Sequence, residues 1–393
     1  ILLLAIAGGV YFVFLKPAPV FVEKRIAVGV FENQTGDPSL DGIGTMIKES
    51  LLQGLPSIEG VEVEPPDVAI PTAGMIVRGS YLKQGDSLVV NAKIIDAETG
   101  KPLRVTRPIA SLVQNPKSAV DVVQQHVVGA IAFQYSLWAE GYDDVPNYYP
   151  VYDAYREYSA AMTLFARERW TESRFHFRKC FQLDPTFVQA AVREFWTYFN
   201  TSQYATADSV AKVLESMRHA LVKTDGASLD FAQASLRGDL FAGLVAARQT
   251  PTIIGRWLRA SLALSVNYLR EAKESSLALR FSAQDSAVAM NWSGFAYVKT
   301  FALHLLGEHE SELKEASSAR QFLPNNLAFL SFEVRALCAL GREDEIWRRV
   351  DESRKLGGSG ETGSLLVMCS GELRRHGYTE AAQKAIGKAI EWY

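Results

Sequence analysis

The pattern of hydrophobic and polar positions divides the chain into three parts. Ile1–Leu15 is apolar and carries no charged side chain. From Arg25 to Ala110, apolar residues form short β-branched runs or alternate with polar residues, which predicts strands. From Tyr152 to Tyr393, apolar residues recur at intervals of three and four, which predicts amphipathic helices. The pattern therefore predicts an apolar N-terminal segment, an α/β domain and an all-α domain.

We interpret the apolar segment Ile1–Leu15 as the end of a transmembrane helix whose beginning precedes Ile1. A spanning helix needs about 20 apolar residues, and the sequence opens within such a run without an initiator Met. Two alternatives stay open, the apolar core of a signal peptide and a buried helix or strand. Residues 16–24 are predicted to form an extended linker that leads out of the membrane.

The α/β domain is predicted over residues 25–140 from strands, turn residues and two amphipathic helices. Gln84-Gly85-Asp86 has the composition of a hairpin turn, and Asp41 stands where an acceptor would cap the first helix. Residues 141–151 are predicted to link this domain to the helical one. The predicted elements are strands at Arg25–Val30, Val61–Glu64, Met75–Lys83, Leu88–Asp96 and Leu103–Ala110, and helices at Ile43–Leu55 and Pro116–Trp138.

Three motifs in this domain are informative together. They are Ile26-Ala-Val-Gly-Val-Phe-Glu-Asn-Gln-Thr-Gly-Asp37, Asp41-Gly-Ile43 and the run from Val77-Arg-Gly-Ser80 to Ile94-Ile-Asp-Ala-Glu-Thr-Gly100. On these motifs, Arg25–Trp138 resembles the TolB-like or FlgO-like amino-terminal module of bacterial envelope proteins. The chain departs from that module between Asp67 and Gly74, where relatives carry a helix. A parallel crossover needs about a dozen residues, so the pairing of the strand at Val61–Glu64 is left open.

The helical part resembles degenerate tetratricopeptide repeats, in which pairs of helices stack on one another. In the clearest copy, Tyr155–Pro185, Ala161 takes the small position of the first helix. Trp170 opens the second helix, and Phe177 and Cys180 lie on its packing face. Three further turns are predicted, at Leu305–Glu308, Leu340–Arg342 and Gly377–Tyr378.

Two stretches of this part lack the repeat signature. Between Phe187 and Gln284 the period stays helical, but the number of hairpins cannot be counted. The glycine-rich stretch Leu356–Gly363 is predicted to be a flexible connection rather than a nucleotide-binding loop, because no lysine completes it.

The resemblance to tetratricopeptide repeats implies a concave groove lined by the first helix of each hairpin. Through this groove the helical region would bind a partner protein. The alternative is that an aromatic stripe at helical spacing belongs to the core. The candidate groove residues are Tyr158, Met162, Phe165, Tyr297, Phe301, His304 and Arg335.

Composition and motifs predict no nucleic-acid partner and no catalytic, cofactor-binding or metal site. The formal net charge is -3, and basic side chains are interspersed with acidic ones instead of forming a basic face. Three cysteines are widely spaced and are expected to be buried. No His-x-x-x-His pair occurs, and His304 and His309, five residues apart, are expected on different faces of a helix.

The order of parts resembles the carboxy-terminal half of certain bacterial membrane proteins whose amino-terminal part is a serine/threonine protein kinase. This resemblance implies a non-catalytic sensor or scaffold at the bacterial cytoplasmic membrane. Its two domains would be displayed in the periplasm, with Ile1–Leu15 in the membrane and a protein partner on the repeats. The alternatives are an envelope assembly scaffold without signalling output and an envelope enzyme with an unrecognised site.

Overall fold

The computed structural model describes residues 21–65, 72–136, 149–221, 223–249, 253–277, 293–322, 324–356 and 359–391. The described residues form two compact units, and the division between them falls after Arg156. The first unit contains a β-sheet, and the second is helical.

A seven-stranded mixed sheet organises the first unit. Its strand order is β3-β1-β4-β5-β6, with β2 also paired to β4 and β7 also paired to β5. Strand β1 runs parallel to β3 and to β4, and β2 runs parallel to β4. Strand β5 is antiparallel to β4, β6 and β7. The strands are β1 (Val22–Val28), β2 (Glu32–Asn33), β3 (Glu62–Val63), β4 (Ala73–Gln84), β5 (Ser87–Asp96), β6 (Pro102–Val105) and β7 (Ile109–Leu112), and the helices are α1 (Gly42–Gly54) and α2 (Pro116–Gln134).

The pairing that the sequence left open is resolved by the position of β1. Strand β3 pairs in parallel with β1, and β4 lies on the other side of β1. One strand therefore separates β3 from β4, a distance of about 10 Å at the usual strand spacing. The Glu64 carboxylate accepts hydrogen bonds from the backbone N–H groups of Thr72 at 2.5 Å and Ala73 at 2.9 Å. This contact ties the residue after β3 to the start of β4.

Two turn predictions in the first unit have different outcomes. The hairpin turn between β4 and β5 is confirmed, because Gln84 pairs with Ser87 and Gly85 has φ +60°. The capping role predicted for Asp41 is wrong, since its side chain makes no capping hydrogen bond to α1. Its carboxylate instead accepts a hydrogen bond of 2.6 Å from the Asn33 amide, and so holds the loop after β2 against the start of the helix.

The second unit is built from helical hairpins. Among the described residues, seven short turns join a first helix to a second helix, and each turn contains one residue with positive φ. The helices are α3 (Tyr152–Ala166), α4 (Trp170–Leu183), α5 (Gln189–Asn200), α6 (Tyr204–Ser216), α7 (Lys223–Arg237), α8 (Leu240–Arg248), α9 (Ile253–Ser265), α10 (Leu269–Leu277), α11 (Ser293–Leu305), α12 (His309–Phe322), α13 (Leu327–Ala339), α14 (Glu343–Leu356), α15 (Ser359–Arg375) and α16 (Thr379–Ile390).

The seven turns share one hydrogen-bonding pattern. The residue after the positive-φ position donates its backbone N–H to a carbonyl five residues earlier, as Glu308 does to Leu303 at 3.0 Å and Arg342 does to Leu337 at 3.0 Å. This is the Schellman arrangement, which satisfies carbonyl groups at the end of a helix and reverses the chain. The positive-φ residues are Glu168, Ser202, Gly238, Asn267, Gly307, Gly341 and Gly377.

The hairpins stack so that the first helices of successive hairpins contact one another. Contacts join α5 to α7, α7 to α9, α9 to α11, α11 to α13 and α13 to α15. Ala161, Phe177 and Cys180 are fully buried, which confirms their predicted packing positions. The small side chain of Ala161 lets the helices of the first hairpin approach closely.

The flexible connection predicted at Leu356–Gly363 is wrong from Ser359 onward, where the chain is helical, and Gly357 and Gly358 lie outside the described residues. Helix α15 begins at Ser359, and Thr362 is fully buried in its first turns. The Thr362 hydroxyl lies 3.1 Å from the hydroxyl of Ser353 on α14. This contact packs the start of α15 against α14.

The predicted fold class needs a correction at its N-terminal end. Of the helices in the described ranges, none is both long and apolar enough to cross a membrane; α2, with 19 residues, has an exposed polar face that includes Lys117 and Asp121. Ile1–Leu15, predicted to be the end of a transmembrane helix, lies outside the described residues. The corrected fold class is a small mixed-sheet domain followed by helical hairpins. The predicted membrane contact and periplasmic location are withdrawn with the transmembrane helix.

Candidate functional site

Three of the predicted groove residues lie in or against the core of the first hairpin. Tyr158 is fully buried, and its ring stands edge-on to Phe187 at 4.9 Å between centroids. Met162 is 8% exposed, and the ring of Phe165 lies 4.8 Å from that of Trp170. The structure therefore buries Tyr158 and Met162 in the core, as the alternative interpretation had it, and packs the half-buried Phe165 against that core.

The other four predicted groove residues come together on α11 and α13. Tyr297 is 42% exposed and stacks on Phe301 with 5.2 Å between ring centroids. The rings of His304 and Phe301 are also nearly parallel, with 6.2 Å between their centroids. The guanidinium of Arg335 lies 4.9 Å from the centre of the Phe301 ring, within the range of a cation–π contact. These residues line the first helices of two successive hairpins.

An open groove of about 780 Å³ runs between α13 and α15, the first helices of the last two hairpins. This volume is in the range of roughly 300–1,000 Å³ that is typical of ligand sites. Its walls are mainly apolar, and Arg335 brings a cation to them. The lining residues are Leu327, Ala328, Ser331, Phe332, Arg335, Glu361, Ser364, Leu365 and Met368.

Arg335 connects this groove to a buried ionic cluster. Its side chain is 9% exposed, and Nε donates a hydrogen bond of 2.7 Å to Oε1 of Glu312, which is fully buried. Its Nη2 is buried and has no hydrogen-bond partner within the described part of the chain. A buried guanidinium with one unsatisfied nitrogen is costly, so an acceptor on a bound molecule would be stabilised here.

Behind Arg335 lie three histidines and two glutamates, which we name the histidine–glutamate cluster: His304, His309, Glu312, Glu372 and His376. The two ring nitrogens of His304 face different carboxylates, with Nδ1 2.8 Å from Oε2 of Glu312 and Nε2 3.2 Å from Oε2 of Glu372. His309 Nδ1 lies 3.3 Å from Glu312 Oε2, and His376 Nε2 lies 3.8 Å from Glu372 Oε2. His304 therefore occupies the centre of the cluster.

The charges of the cluster compensate one another. Burial alone would lower the pKa of His304, but the carboxylates of Glu312 and Glu372 raise it to about 9. The adjacent His304 lowers the pKa of Glu372, whereas burial and the neighbouring His309 lower the pKa of His376. At neutral pH, two cations, Arg335 and protonated His304, therefore face two carboxylates, which is the condition under which buried charges are tolerated.

Four members of this cluster were missed in the sequence because they meet across hairpin turns. His304 ends α11 and His309 begins α12, and the chain reverses between them at Gly307, which has φ +74°. Their rings are consequently 5.0 Å apart, although a continuous helix would separate them. Glu372 and His376 enter from the end of α15, in another hairpin. The available signal was a histidine on each side of the predicted turn at Gly307, together with Glu372 and His376 four residues apart before the predicted turn at Gly377.

The cysteines have no place in this site. All three are buried, as predicted, and none forms a disulfide. Burial raises the pKa of the Cys180 thiol, and contact with Cys369 raises that of Cys338. A thiol with a raised pKa is a poor nucleophile at neutral pH, so these residues are packing groups.

Comparison with known proteins does not assign the chain to a family. No protein-family model and no curated protein matches the chain. The resemblances to a TolB-like module and to tetratricopeptide repeats therefore stay predictions.

Proposed function

We propose that the helical region binds an extended segment of a partner protein in the groove between α13 and α15. The observation that supports this proposal is the groove itself, which combines apolar walls with the buried guanidinium of Arg335. In stacked hairpin arrays the first helices form the surface that partners occupy. Both walls of this groove are first helices.

The lining defines the chemistry of the bound segment. Phe332, Leu365 and Met368 offer contacts to aliphatic or aromatic side chains. Arg335 favours a carboxylate on the α13 side of the groove, because charge-assisted hydrogen bonds are stronger than neutral ones, whereas Glu361 disfavours one next to α15. The preferred segment therefore carries apolar side chains next to an aspartate or glutamate.

The role proposed is binding without chemistry. A partner segment held in this way would be docked by the helical region, as expected for a scaffold or sensor. The kinase implied by the order of parts is not among these residues, so the signalling output stays a prediction.

The test uses short synthetic peptides that carry two apolar side chains and one glutamate. Matched peptides have glutamine in place of the glutamate. Binding to the full chain is measured by fluorescence anisotropy. The acidic peptides should bind about tenfold more tightly than the neutral ones, as one charged hydrogen bond warrants.

A pair of variants locates the binding site. Ser331 lines the groove, so Ser331→Trp should fill it and abolish binding. Val367 is 47% exposed on α15 and does not line the groove, so Val367→Trp is the matched control and should bind as the unaltered chain does. Circular dichroism establishes that both variants fold. Equal binding by the two variants, or no binding of any peptide to the folded chain, would refute the proposal.

A further inference from the structure

The buried carboxylate of Glu372 faces the charged His304 in the histidine–glutamate cluster, yet one of its oxygens has no hydrogen bond among the described residues. Its Oε1 accepts a hydrogen bond from Arg375, while Oε2 is buried and lies 3.2 Å from His304 Nε2 and 3.8 Å from His376 Nε2. Neither approach has hydrogen-bond geometry, and Oε2 finds no hydrogen-bond partner among the residues that the structure describes. Two imidazole nitrogens and a carboxylate oxygen thus converge with one acceptor unsatisfied.

We propose that His304, Glu372 and His376 form a binding site for a divalent transition-metal ion, with Zn²⁺ as the ion that best fits the donor set. The ligand atoms would be Nε2 of His304, Oε2 of Glu372 and Nε2 of His376. Two imidazoles and one carboxylate are a common zinc ligand set.

The spacing of these atoms fits a small tetrahedral ion. With bonds of 2.0–2.1 Å, the ligand atoms of tetrahedral zinc lie about 3.3 Å apart. The donor atoms of the three residues all lie within 4.8 Å of one another, and two of their separations are already 3.2 and 3.8 Å. His376 has a side chain that is 28% exposed, so it has room to close the remaining distance.

The surroundings of His304 match those of a metal-binding histidine. Its Nδ1 lies 2.8 Å from the Glu312 carboxylate, which can hold the proton on Nδ1 while a metal ion displaces the proton that Nε2 carries in the metal-free cluster. Ligating histidines are usually oriented in this way by a carboxylate. Arg335 holds Glu312 from the other side. These contacts also decide against the second possible set, His304, His309 and Glu312, because Glu312 is already engaged by Arg335 and His304.

The three ligands come from α11 and from the end of α15. The ion would therefore join the fifth hairpin (α11 and α12) to the seventh hairpin (α15 and α16). Three protein ligands leave one tetrahedral position for water or for a group of a bound molecule. His304 and Glu372 have side chains only 9% and 6% exposed, so access to that position is from the side of His376.

The test titrates the full chain, first freed of metal with a chelator, with Zn²⁺ by isothermal calorimetry. We expect one ion per chain and a higher melting temperature in its presence. His376→Ala and Glu372→Gln should abolish this binding. His176→Ala is the matched control, because His176 Nδ1 also lies 2.7 Å from a glutamate, Glu157, but in another hairpin; it should leave binding unchanged.

Two further measurements keep the assignment open to refutation. Co²⁺ in place of Zn²⁺ should give the intense visible absorption of a tetrahedral site, which His376→Ala removes. His309→Ala should retain binding, and a loss as large as that of His376→Ala would overturn the assigned ligand set. Absence of stoichiometric Zn²⁺ binding by the folded chain, or binding that persists in His376→Ala and Glu372→Gln, would overturn the site itself.

Discussion

The turn of the sixth hairpin offers a sharp test of how the hairpins fit together. Gly341 has φ +66°, and a Cβ atom there would lie 2.3 Å from Cζ of Tyr378, a residue of the next turn. Gly307 has φ +74°, but a Cβ atom there would meet no atom within 4 Å. Both substitutions therefore force a residue with a Cβ atom into the left-handed conformation, but only Gly341→Ala also creates a steric clash.

The two costs can be separated. A left-handed conformation costs a residue with a Cβ atom roughly 1–2 kcal/mol, and overpacking costs typically about 1–3 kcal/mol. We therefore expect Gly307→Ala to lower the free energy of unfolding by about 1–2 kcal/mol and Gly341→Ala by about 2–5 kcal/mol. Tyr378 is 40% exposed, and displacing its ring towards solvent would place the result near the lower limit.

The assay is urea denaturation followed by far-UV circular dichroism. Tyr378→Ala removes the ring that Cβ of residue 341 would meet. In that background, Gly341→Ala should lower the free energy of unfolding by no more than Gly307→Ala lowers it in the unaltered chain. If Gly341→Ala and Gly307→Ala lower the free energy of unfolding equally, the reasoning is refuted, because the neighbouring turns then do not pack against each other.

Three further outcomes follow from single sites in the second unit. Ser202 has φ +58°, so Ser202→Gly should raise the free energy of unfolding by about 1 kcal/mol and with it the melting temperature, whereas Ser202→Ala should raise neither. Hydrogen bonds from Arg248 and Arg259 lower the pKa of Glu271 to about 2. The stabilisation that its carboxylate gives the fold is therefore present above pH 4.5 and lost as the pH falls towards 2. Glu271→Gln should lower the free energy of unfolding by about 1 kcal/mol at pH 7, with allowance for solvent screening, and not at all in strong acid, which unfolding measured across that pH range tests. The native chain should resist alkylation by iodoacetamide, whereas urea should expose three reactive thiols by mass spectrometry; rapid labelling without urea would contradict the burial of the cysteines.

The sequence predicted the elements of the sheet domain because strands and turns there have local causes. Alternation over Met75–Lys83 and Leu88–Asp96 and the glycine between them determine a hairpin whose register is continuous from Met75 to Gln84. The parallel pairing of β3 was not predictable, because the rule for crossover length does not state which strand is crossed. That information lies in the tertiary arrangement.

The number of hairpins was hidden for a similar reason. Glycine marks the predicted turns at Gly307, Gly341 and Gly377, and these were found. Ser202 and Asn267 adopt the same left-handed conformation without glycine, so two turns between Phe187 and Gln284 carry no compositional marker. Hydrogen bonds of the Schellman type form there all the same, because they depend on the path of the backbone and not on the side chain.

The histidine–glutamate cluster was beyond prediction because helical periodicity describes one helix at a time. His304 and His309 are on different faces if one helix continues through them, and are neighbours once the chain reverses between them. Arg335 was named for the groove by its position along α13, but its pairing with Glu312 depends on how two hairpins stack. The periodicity thus located the helices, and the reversals between them created the site.

One guanidinium serves both the groove and the cluster, and this constrains what mutations can reveal. Arg335 lines the groove and also neutralises Glu312, so removing it would leave a buried carboxylate without its partner, a change that destabilises proteins by about 3–5 kcal/mol. Lost peptide binding in such a variant would therefore be indistinguishable from lost folding. Ser331 contacts only the groove, and His376 belongs only to the cluster. If Ser331→Trp abolishes peptide binding without affecting Zn²⁺, and His376→Ala does the reverse, the two sites are functionally separate although Arg335 joins them. If either folded variant impairs both ligands, the two sites are coupled, and Arg335 is the residue that touches both.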